Sequence, residues 1–500
     1  MQFEQPDLEA FEPELERLFD CAFDRTLRGL ASAGIRAGAV WHTPAVKVFQ
    51  AACLPDFKTS QKLIGGSILS LADKLANLRE EERRARVSGD PSLANILGLR
   101  QTLENRQLAL RRLMDGLLWV LIWPHRWILK RVRVELGIRS IDRATLRPIL
   151  EAANKQNDTL PPDTFLLVSD LTTIVQLGDL VIAKWIPSRN SMKVTFGEIK
   201  YGSHNVLLWK RLHAEIPADE KSRVGSIERE FGPKSAKQAE RMLRQERRLK
   251  DFNQLIKTDE GRDPMNGRRF RMTRDTIVSR DYLDELSGLV SAAKVEGSSG
   301  MTIDGCLHFY ATKAQERSIE FGALVAHNFL HARVGPRCTI EDPATPERDA
   351  ILAAPKAVDL VKFVMSSPLG MPPFLWYPKD LMFDLVMERI RVFVQFDYER
   401  FFQSARRRGV VMRFVQGREA RRLKPLKLSA PLIEFGDDRF VRVELPRDRG
   451  MIFGARFFAG IYWALERPCD LIFGLKAIVS QAIQDNAWAS EVREGGSGTG

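Results

Sequence analysis

The sequence predicts a multidomain α/β protein in which a helical N-terminal region precedes regions that mix strands and helices. Its 500 residues exceed what one hydrophobic core usually serves. Apolar residues recur at helical spacing over residues 1–140, whereas β-branched and aliphatic runs typical of strands begin near residue 164. The apolar fraction of 44% and the charged fraction of 28% are those of a globular chain.

Changes of pattern and breaks rich in proline and glycine divide the chain into five segments. We expect an N-terminal helical region for interaction or oligomerisation at 1–140, an α/β region at 141–312, a mixed helical connector at 313–370, a C-terminal α/β region at 371–494, and a Gly/Ser-rich tail at 495–500. The tail resembles an appended flexible linker and is left out of the predicted fold.

The first region is predicted to contain three helices. Leu8, Phe11 and Leu15 begin the first, a second pattern covers 63–86, and a third runs from about Ser92 towards residue 124. The third ends in GLLWVLIW, which is too short to span a bilayer and predicts a buried helix end. The arginine-rich outer faces suit either a bundle that docks a partner or a second protomer, or ordinary solvated helix faces.

The second region begins with a helix over 143–157, for which Asp142 is the predicted N-cap. Strands and helices then alternate: two strands within 164–186, a turn at 187–190, a return strand ending at Tyr201, a basic helix over 234–256, a helix over 281–293 and a strand pair over 301–312. The connector is predicted to hold a helix over 353–365, and the last region strands over 389–398, 408–416 and 440–445.

The hairpin at Gly178–Gly202 carries the residues with the clearest chemistry. Asp179 precedes an apolar run, and the return strand ends with Glu198 and Lys200, two residues apart. Because side chains alternate along a strand, Glu198 and Lys200 are expected on one face of the sheet. Two carboxylates suffice for Mg²⁺, which prefers oxygen ligands and keeps several waters, and a nearby ammonium would oppose charge that develops on a phosphoryl group. The alternative is an ordinary hairpin in which Asp179 and Lys200 form a surface ion pair.

The Asp179…Glu198-Ile199-Lys200 pattern, with a helix before it and a basic helix after it, resembles the PD-(D/E)xK, or restriction-endonuclease-like, nuclease superfamily. The resemblance covers roughly residues 141–312 and implies an α/β core with a central mixed sheet, a divalent metal (Mg²⁺ or Mn²⁺) and hydrolysis of phosphodiester bonds. Two features depart from the family pattern: Gly178 stands where proline is frequent, and about 30 residues separate the hairpin from the basic helix.

The resemblance also implies roles for individual residues. Asp179 and Glu198 would be the metal ligands, and Lys200 would orient the attacking water and stabilise charge. Glu151, on the helix before the hairpin, would be an accessory acid, and Gln238 would correspond to the helix glutamine of RecB-like branches.

Two basic clusters point to a polyanionic partner, in keeping with a formal net charge of +12 and a pI near 9.5. One lies on the basic helix and includes Arg241, Arg244 and Arg248, and the other lies within residues 406–424. Arginine can contact phosphates, and the phenylalanines that accompany the second cluster, among them Phe401, could stack on unpaired bases. The alternatives are solvated helix faces and aromatic residues of the core. The residues of the second cluster expected to contact nucleic acid are Arg406, Arg407 and Arg408.

Several other classes of site are disfavoured by the sequence. Five scattered cysteines without a CxxC pair indicate neither a zinc ribbon nor a disulfide framework, and favour a reducing cytoplasm. The acidic, amphipathic N-terminus is unlike a secretory signal. No GK[ST] phosphate-binding loop is present, so no NTPase motor is expected. His327 and His331 have i,i+4 spacing, but their apolar surroundings favour a packed helix.

Together these patterns predict a cytoplasmic, metal-dependent endonuclease that acts on DNA rather than RNA. Its extended flanking regions resemble those of effectors of bacterial antiviral defence or restriction, with activity gated by a homo-oligomer or a partner protein. The alternative is a non-catalytic nucleic-acid-binding or scaffold protein of a larger complex. A third class, a membrane-surface protein that uses the segment Trp119–Trp127, is the least favoured.

Overall fold

In the computed structural model the chain forms two compact units. The first contains Phe3–Arg274 and Pro372–Trp376, and the second contains Asp275–Met371 and Tyr377–Gly500. The boundary near residue 274 falls inside the 141–312 segment drawn from the sequence. The structure describes residues 8–24, 45–123, 140–175, 178–199, 203–213, 219–258, 260–262, 269–271, 281–313, 358–360, 364–365, 374, 377–415, 440–445, 449–454, 461, 467–477 and 479–480.

Helices dominate the described part of the first unit and surround one small antiparallel sheet. The helices are α1 (Leu8–Phe19), α2 (Ala45–Ser88), α3 (Leu93–Ile122), α4 (Arg143–Thr159), α5 (Ser203–Leu212), α6 (Glu220–Phe231) and α7 (Pro233–Thr258). The strands are β1 (Thr164–Val168), β2 (Leu180–Ile186) and β3 (Ser191–Gly197), with a separate pair β4 (Glu260–Arg262) and β5 (Arg269–Arg271).

Helix α2 is much longer than the predicted helix over 63–86. It begins at Ala45 and continues through Pro55, so the prediction of its start was wrong. The additional turns bury Phe49, Leu54 and Phe57 completely, and this tertiary burial offsets the unfavourable effect of an internal proline. Helix α3 packs against α2 and, as predicted, its C-terminal half is a buried apolar segment.

The membrane-surface hypothesis finds no support at Trp119, which is only 7% exposed on α3. The rest of the segment up to Trp127 includes residues 124–127, which lie outside the described residues. Among the described helices, none is both long and apolar enough to cross a membrane.

The predicted start of α4 is confirmed. The Asp142 side chain accepts a hydrogen bond from the backbone N–H of Ala144 at 3.0 Å, which is the N-cap geometry expected for an aspartate. The Thr145 hydroxyl also donates to the Asp142 carboxylate, and these two hydrogen bonds lower the pKa of Asp142. Helix α4 packs against α2 and β1.

The hairpin prediction is confirmed as part of a three-stranded antiparallel meander with the order β1-β2-β3. The register pairs Val168 with Leu180 and Leu180 with Gly197. The turn occupies the predicted residues 187–190, and Asn190 takes the left-handed conformation (φ 44°) that asparagine tolerates. The return strand ends at Gly197 rather than at Tyr201, so Glu198 follows the strand instead of lying within it.

Helix side chains pair with backbone groups on both free edges of this meander. On β1, the Asn157 amide donates to the Leu166 carbonyl at 2.9 Å and accepts the Leu166 N–H at 2.9 Å. On β3, Asn253 does the same to Phe196, at 3.1 and 3.0 Å. Gln61 of α2 adds bonds to Leu166 and Val168. An unpaired edge exposes backbone donors and acceptors, and here helix side chains satisfy those of Leu166 and Phe196 and the N–H of Val168.

The described part of the second unit contains two small antiparallel sheets. A four-stranded sheet has the order β6-β7-β9-β8, a three-stranded sheet has the order β10-β11-β12, and α8 packs against β6, β7 and β9. The described elements are α8 (Leu283–Glu296), β6 (Ser298–Ile303), β7 (Leu307–Lys313), β8 (Val358–Asp359), α9 (Lys379–Val386), β9 (Ile390–Phe396), α10 (Tyr398–Arg407), β10 (Met412–Phe414), β11 (Phe440–Leu445) and β12 (Arg449–Gly454).

The four-stranded sheet combines strands that lie before, within and after the predicted connector at 313–370. Strand β7 pairs with β9 along its whole length, from Leu307 with Phe396 to Lys313 with Ile390. The predicted helix over 353–365 was wrong at Val358–Asp359, which extends the sheet by pairing with β9. Together with the helices, these sheets make the chain a mixed helix-and-sheet protein, in agreement with the α/β class.

Candidate functional site

Asp179 and Glu198 lie together at one end of the meander. Asp179 immediately precedes β2 and Glu198 immediately follows β3, and both side chains are half-buried. The Asp179 N–H donates to the Gly197 carbonyl at 2.9 Å, and the Ile199 N–H donates to the Asp179 carboxylate at 2.8 Å. The segment that carries Glu198 is therefore held directly against Asp179. We call these two residues the acid pair.

The backbone of Asp179 also bonds to the third strand, because its carbonyl accepts the N–H of Ser169 at 2.9 Å. Ser169, Asp179 and Gly197 thus form one row across the three strands. Ser169 is completely buried, and its hydroxyl oxygen has no hydrogen-bond partner within the described ranges. These backbone bonds fix the position of Asp179 relative to the end of β1 and the end of β3.

Gly178 explains one departure from the family pattern. Its φ of +73° lies in the left-handed region, whereas the proline ring fixes φ near −65°. A Cβ at residue 178 would lie 2.6 Å from the Gly197 carbonyl oxygen. Glycine is therefore required for the close approach that joins Asp179 to the end of β3, and proline would not fit this backbone.

A buried ionic cluster anchors the connection that leads from β1 to Asp179. Arg112 and Asp115 of α3 are completely buried and pair at 2.8 Å. Asp115 accepts the N–H of Thr173 at 2.7 Å and also the hydroxyl of that residue, while Arg111 donates to the carbonyl of Thr172. Buried charges are tolerated when they are paired and hydrogen-bonded in this way.

Burial and mutual attraction oppose one another in this cluster. Burial raises the pKa of the Asp115 carboxyl and lowers the pKa of Arg111 and Arg112, and the attraction between the ions acts in the opposite direction. Sequence analysis missed these residues. The available signal was a pair of arginines and an aspartate inside a long apolar helix, in the stretch ALRRLMDGLLWV.

The C-terminal half of α7 lies beside the acid pair. The Leu249 side chain packs close to Gly178, since a Cβ placed on that glycine would lie 3.2 Å from Leu249 Cδ2. One turn later, Asn253 forms its two bonds to Phe196, the residue before Gly197. The basic helix is therefore attached to the sheet at the same end as Asp179 and Glu198.

Gln238 is not brought to the acid pair. It lies on α7 eleven residues before Leu249, which corresponds to about 16 Å along the helix axis. The resemblance placed this glutamine at the site, but the helix contacts the sheet through its other end. Lys200 lies outside the described residues, as does the side chain of Arg248.

Glu151 is exposed on α4. A short turn connects α4 to β1, and Asn157 is bonded to Leu166, so the earlier residues of the helix lie towards the later residues of the strand. This direction places Glu151 towards the end of the sheet that carries Ser169 and Asp179. The described contacts include no bond from Glu151 to either member of the acid pair.

The metal-binding capacity of the described residues rests on two carboxylates. No group of three or more His, Cys, Asp or Glu side chains converges within the described ranges. A closed four-ligand site of the zinc type is therefore not formed by them. Asp179 and Glu198 fit a hard divalent cation that keeps most of its waters, because such an ion accepts one or two protein carboxylates.

The second basic cluster is partly a structural feature of the second unit. Arg406 and Arg407 are exposed, but Arg408 donates to the Ser404 carbonyl at 3.2 Å and lies over the Phe473 ring at 5.5 Å. Phe401 is completely buried. The proposed base-stacking role was wrong for this ring, which packs in an aromatic cluster at the end of β9. The cluster consists of Phe396, Tyr398, Phe401, Phe402 and Phe414.

The remaining histidine candidates, His327 and His331, lie outside the described residues.

Comparison of the chain with protein-family models, with curated proteins and with solved structures finds no match. The functional assignment therefore rests on the geometry of the acid pair and its surroundings.

Proposed function

We propose that the chain is a metal-dependent nuclease whose active site is built on the acid pair. The observation that carries this proposal is the bond from the Ile199 N–H to the Asp179 carboxylate, which joins the aspartate to the Glu198-Ile199-Lys200 segment. The order of one helix (α4), three antiparallel strands and then the helices α5 to α7 supports a restriction-endonuclease-like core. The proposal includes a wider mixed sheet around these three strands.

The residues have distinct tasks in this proposal. Asp179 and Glu198 would hold a divalent cation, Mg²⁺ or Mn²⁺, with one Asp179 oxygen already oriented by Ile199. When bound, such a cation supplies a water of lowered pKa and neutralises charge on the phosphoryl oxygens. Lys200 would orient the attacking water, and Glu151 would assist from α4 as an accessory acid.

The proposed substrate is DNA, with RNA as the second choice, and the proposed setting is bacterial antiviral defence or restriction within the cytoplasm. The net charge of +12 supports a polyanionic substrate. The long α2–α3 pair, whose outer arginines remain exposed near Arg83 and Arg84, supports a docking role for the N-terminal helices in a homo-oligomer or with a partner protein.

Cleavage of plasmid DNA in the presence of Mg²⁺ or Mn²⁺ tests the proposal. We expect cleavage by the full chain to fall at least about 100-fold in Glu198→Gln and in Lys200→Ala, because the first removes the charge of a proposed metal ligand and the second removes the ammonium that would orient the attacking water. Glu296→Gln, an exposed carboxylate of the second unit, is the matched control and should cleave normally. Cleavage that needs no metal, or that survives Glu198→Gln, would contradict the proposal.

Calorimetric titration with Mn²⁺ provides a readout that does not depend on turnover. The double variant Asp179→Asn/Glu198→Gln should lose Mn²⁺ binding that the wild-type chain shows, because both proposed ligands lose their charge. The Glu296→Gln control should keep it.

A non-catalytic nucleic-acid-binding or scaffold role is the second candidate. The exposed basic residues of α7 favour it, since they suit a polyanion whether or not hydrolysis occurs. This role predicts DNA binding that is indifferent to Mg²⁺ and to Glu198→Gln, with no cleavage.

A further inference from the structure

Helix α7 carries a continuous row of exposed cations on the face opposite its buried side. Lys234, Lys237, Arg241 and Arg244 follow one another at spacings of three or four residues, so they share one face of the helix. The opposite face is buried, with Ala239 and other small or apolar residues packed against α5 and α6. We call the four exposed cations the α7 stripe.

The stripe differs from the neighbouring cations in its ion pairing. Arg211 pairs with Glu230 at 3.0 Å, and Arg247 pairs with Glu220 at 3.4 Å. In the part of the chain that the structure describes, no residue of the stripe forms an ion pair, although the exposed Glu240 lies beside it. The helix as a whole carries eight Lys or Arg residues against three acids. The stripe therefore presents positive charge that is not neutralised by the described side chains.

The stripe leads away from the acid pair. Leu249 packs close to Gly178 and Asn253 is bonded to β3, so the C-terminal half of α7 is fixed at the site. Arg244 precedes Leu249 by about 7.5 Å along the helix axis, and Lys234 precedes it by about 22 Å. The stripe itself is about 15 Å long, which matches roughly four phosphates along one strand of duplex DNA.

We propose that the α7 stripe is a phosphate track: it binds the backbone of the nucleic acid whose phosphodiester bond lies at the acid pair. This inference rests on the proposed function and deepens it by assigning the surface that holds the substrate. The track is expected to contact backbone charge, because its members are four exposed cations and phosphates are the most frequent partners of such side chains. Arg241 and Arg244 keep the role expected from the sequence, and Lys234 and Lys237 extend it.

The salt dependence of DNA binding tests this proposal without relying on catalysis. Affinity of the full chain for a short DNA duplex is measured by fluorescence anisotropy in EDTA, between about 50 and 200 mM salt. The test variant changes the four stripe residues together to glutamine, which retains helix propensity. The matched control changes four exposed cations of α2 and α4 to glutamine and so removes the same charge. These are Lys62, Arg143, Arg147 and Lys155.

The logarithm of the association constant falls linearly with the logarithm of the salt concentration. We expect this slope to become less steep by about 3 to 4 in the stripe variant, since each phosphate contact contributes about 0.9 to its magnitude. The control should change the slope by less than about 1. Circular dichroism verifies that both variants keep their helices. Equal salt slopes for the stripe variant and the control would overturn the track. The track would also be overturned if the stripe substitutions weakened binding to phosphatidylserine vesicles but left binding to duplex DNA unchanged. The same slope change with duplex RNA would support a track that reads either backbone.

Failure of the track and failure of the proposed hydrolysis give different results. If binding depends on the stripe but the wild-type chain cleaves nothing with Mg²⁺ or Mn²⁺, the hydrolysis fails and the track stands. If cleavage depends on Glu198 while the stripe variant binds and cleaves like the control, the track fails and the hydrolysis stands.

Discussion

The Asp179 carboxylate accepts a hydrogen bond from the backbone N–H of Ile199 at 2.8 Å. This bond gives the aspartate a structural task in addition to its proposed metal-binding one, because it positions Glu198 after β3 has ended. The two tasks require different properties of the side chain. The structural bond needs an oxygen acceptor, whereas binding of a divalent cation needs the negative charge.

Substitution of Asp179 should separate these two tasks. Asp179→Asn keeps an oxygen for the Ile199 N–H, so the free energy of unfolding should fall by less than about 1 kcal/mol, whereas Asp179→Ala should lower it by about 1–3 kcal/mol. Both variants should lose cleavage and Mn²⁺ binding. Urea unfolding and plasmid cleavage measure the two effects, and equal stability of the two variants would show that the bond has no structural role.

Elements that depend on local pattern were predicted well. The turn from Pro187 to Asn190, the Asp142 N-cap and helix α7 each follow from residues that are close in sequence, and the structure contains all three. The closeness of Asp179 and Glu198 also follows from such a pattern, because a hairpin brings its two ends together whatever the rest of the chain does.

Features that depend on distant contacts were not predicted. Arg112 looked like a residue of a solvated helix face, because arginines on helices usually are, yet its environment includes Thr173, which is 61 residues away. Closure of the sheet edges by Asn157 and Asn253 likewise requires helices to be placed against strands, and no spacing rule gives that placement. Val358 pairs with β9 for the same reason, although its surroundings in sequence favour a helix.

Closure of the β3 edge predicts a graded response at Asn253. Asn253→Ala removes both bonds to Phe196 and should lower the free energy of unfolding by about 1–3 kcal/mol. Asn253→Asp should lower it at least as much, because the carboxylate still accepts the Phe196 N–H but places a negatively charged acceptor against the Phe196 carbonyl oxygen. Gln254→Ala, at an exposed position of the same helix, should stay within about 0.5 kcal/mol of wild type. Urea unfolding measures all three, and an unchanged Asn253→Ala would contradict the edge-closing role.

The buried cluster predicts a large effect at Asp115. Asp115→Ala leaves the buried guanidinium groups of Arg111 and Arg112 without their carboxylate and should cost about 3–5 kcal/mol of unfolding free energy. Asp73 is a suitable control, because it pairs with Arg143 at 2.8 Å on the surface, where an ion pair contributes about 0–1 kcal/mol. Chemical unfolding of Asp115→Ala and Asp73→Ala makes the comparison. If the two variants were equally stable, Asp115 would not anchor the segment that leads to Asp179.

The backbone at Gly178 predicts opposite effects of one substitution at two glycines. Gly178→Ala adds a Cβ at a φ of +73° and only 2.6 Å from the Gly197 carbonyl oxygen, so it should destabilise the chain by about 1–3 kcal/mol. Gly225→Ala, inside α6 and with no atom within 4 Å of the added Cβ, should instead stabilise it by about 0.5–1 kcal/mol. Because relief of the strain would move Asp179 away from β3, Gly178→Ala should also reduce Mn²⁺ binding and plasmid cleavage, while Gly225→Ala leaves both unchanged. A Gly178→Ala chain with wild-type stability and wild-type Mn²⁺ affinity would show that the acid pair does not depend on this close approach.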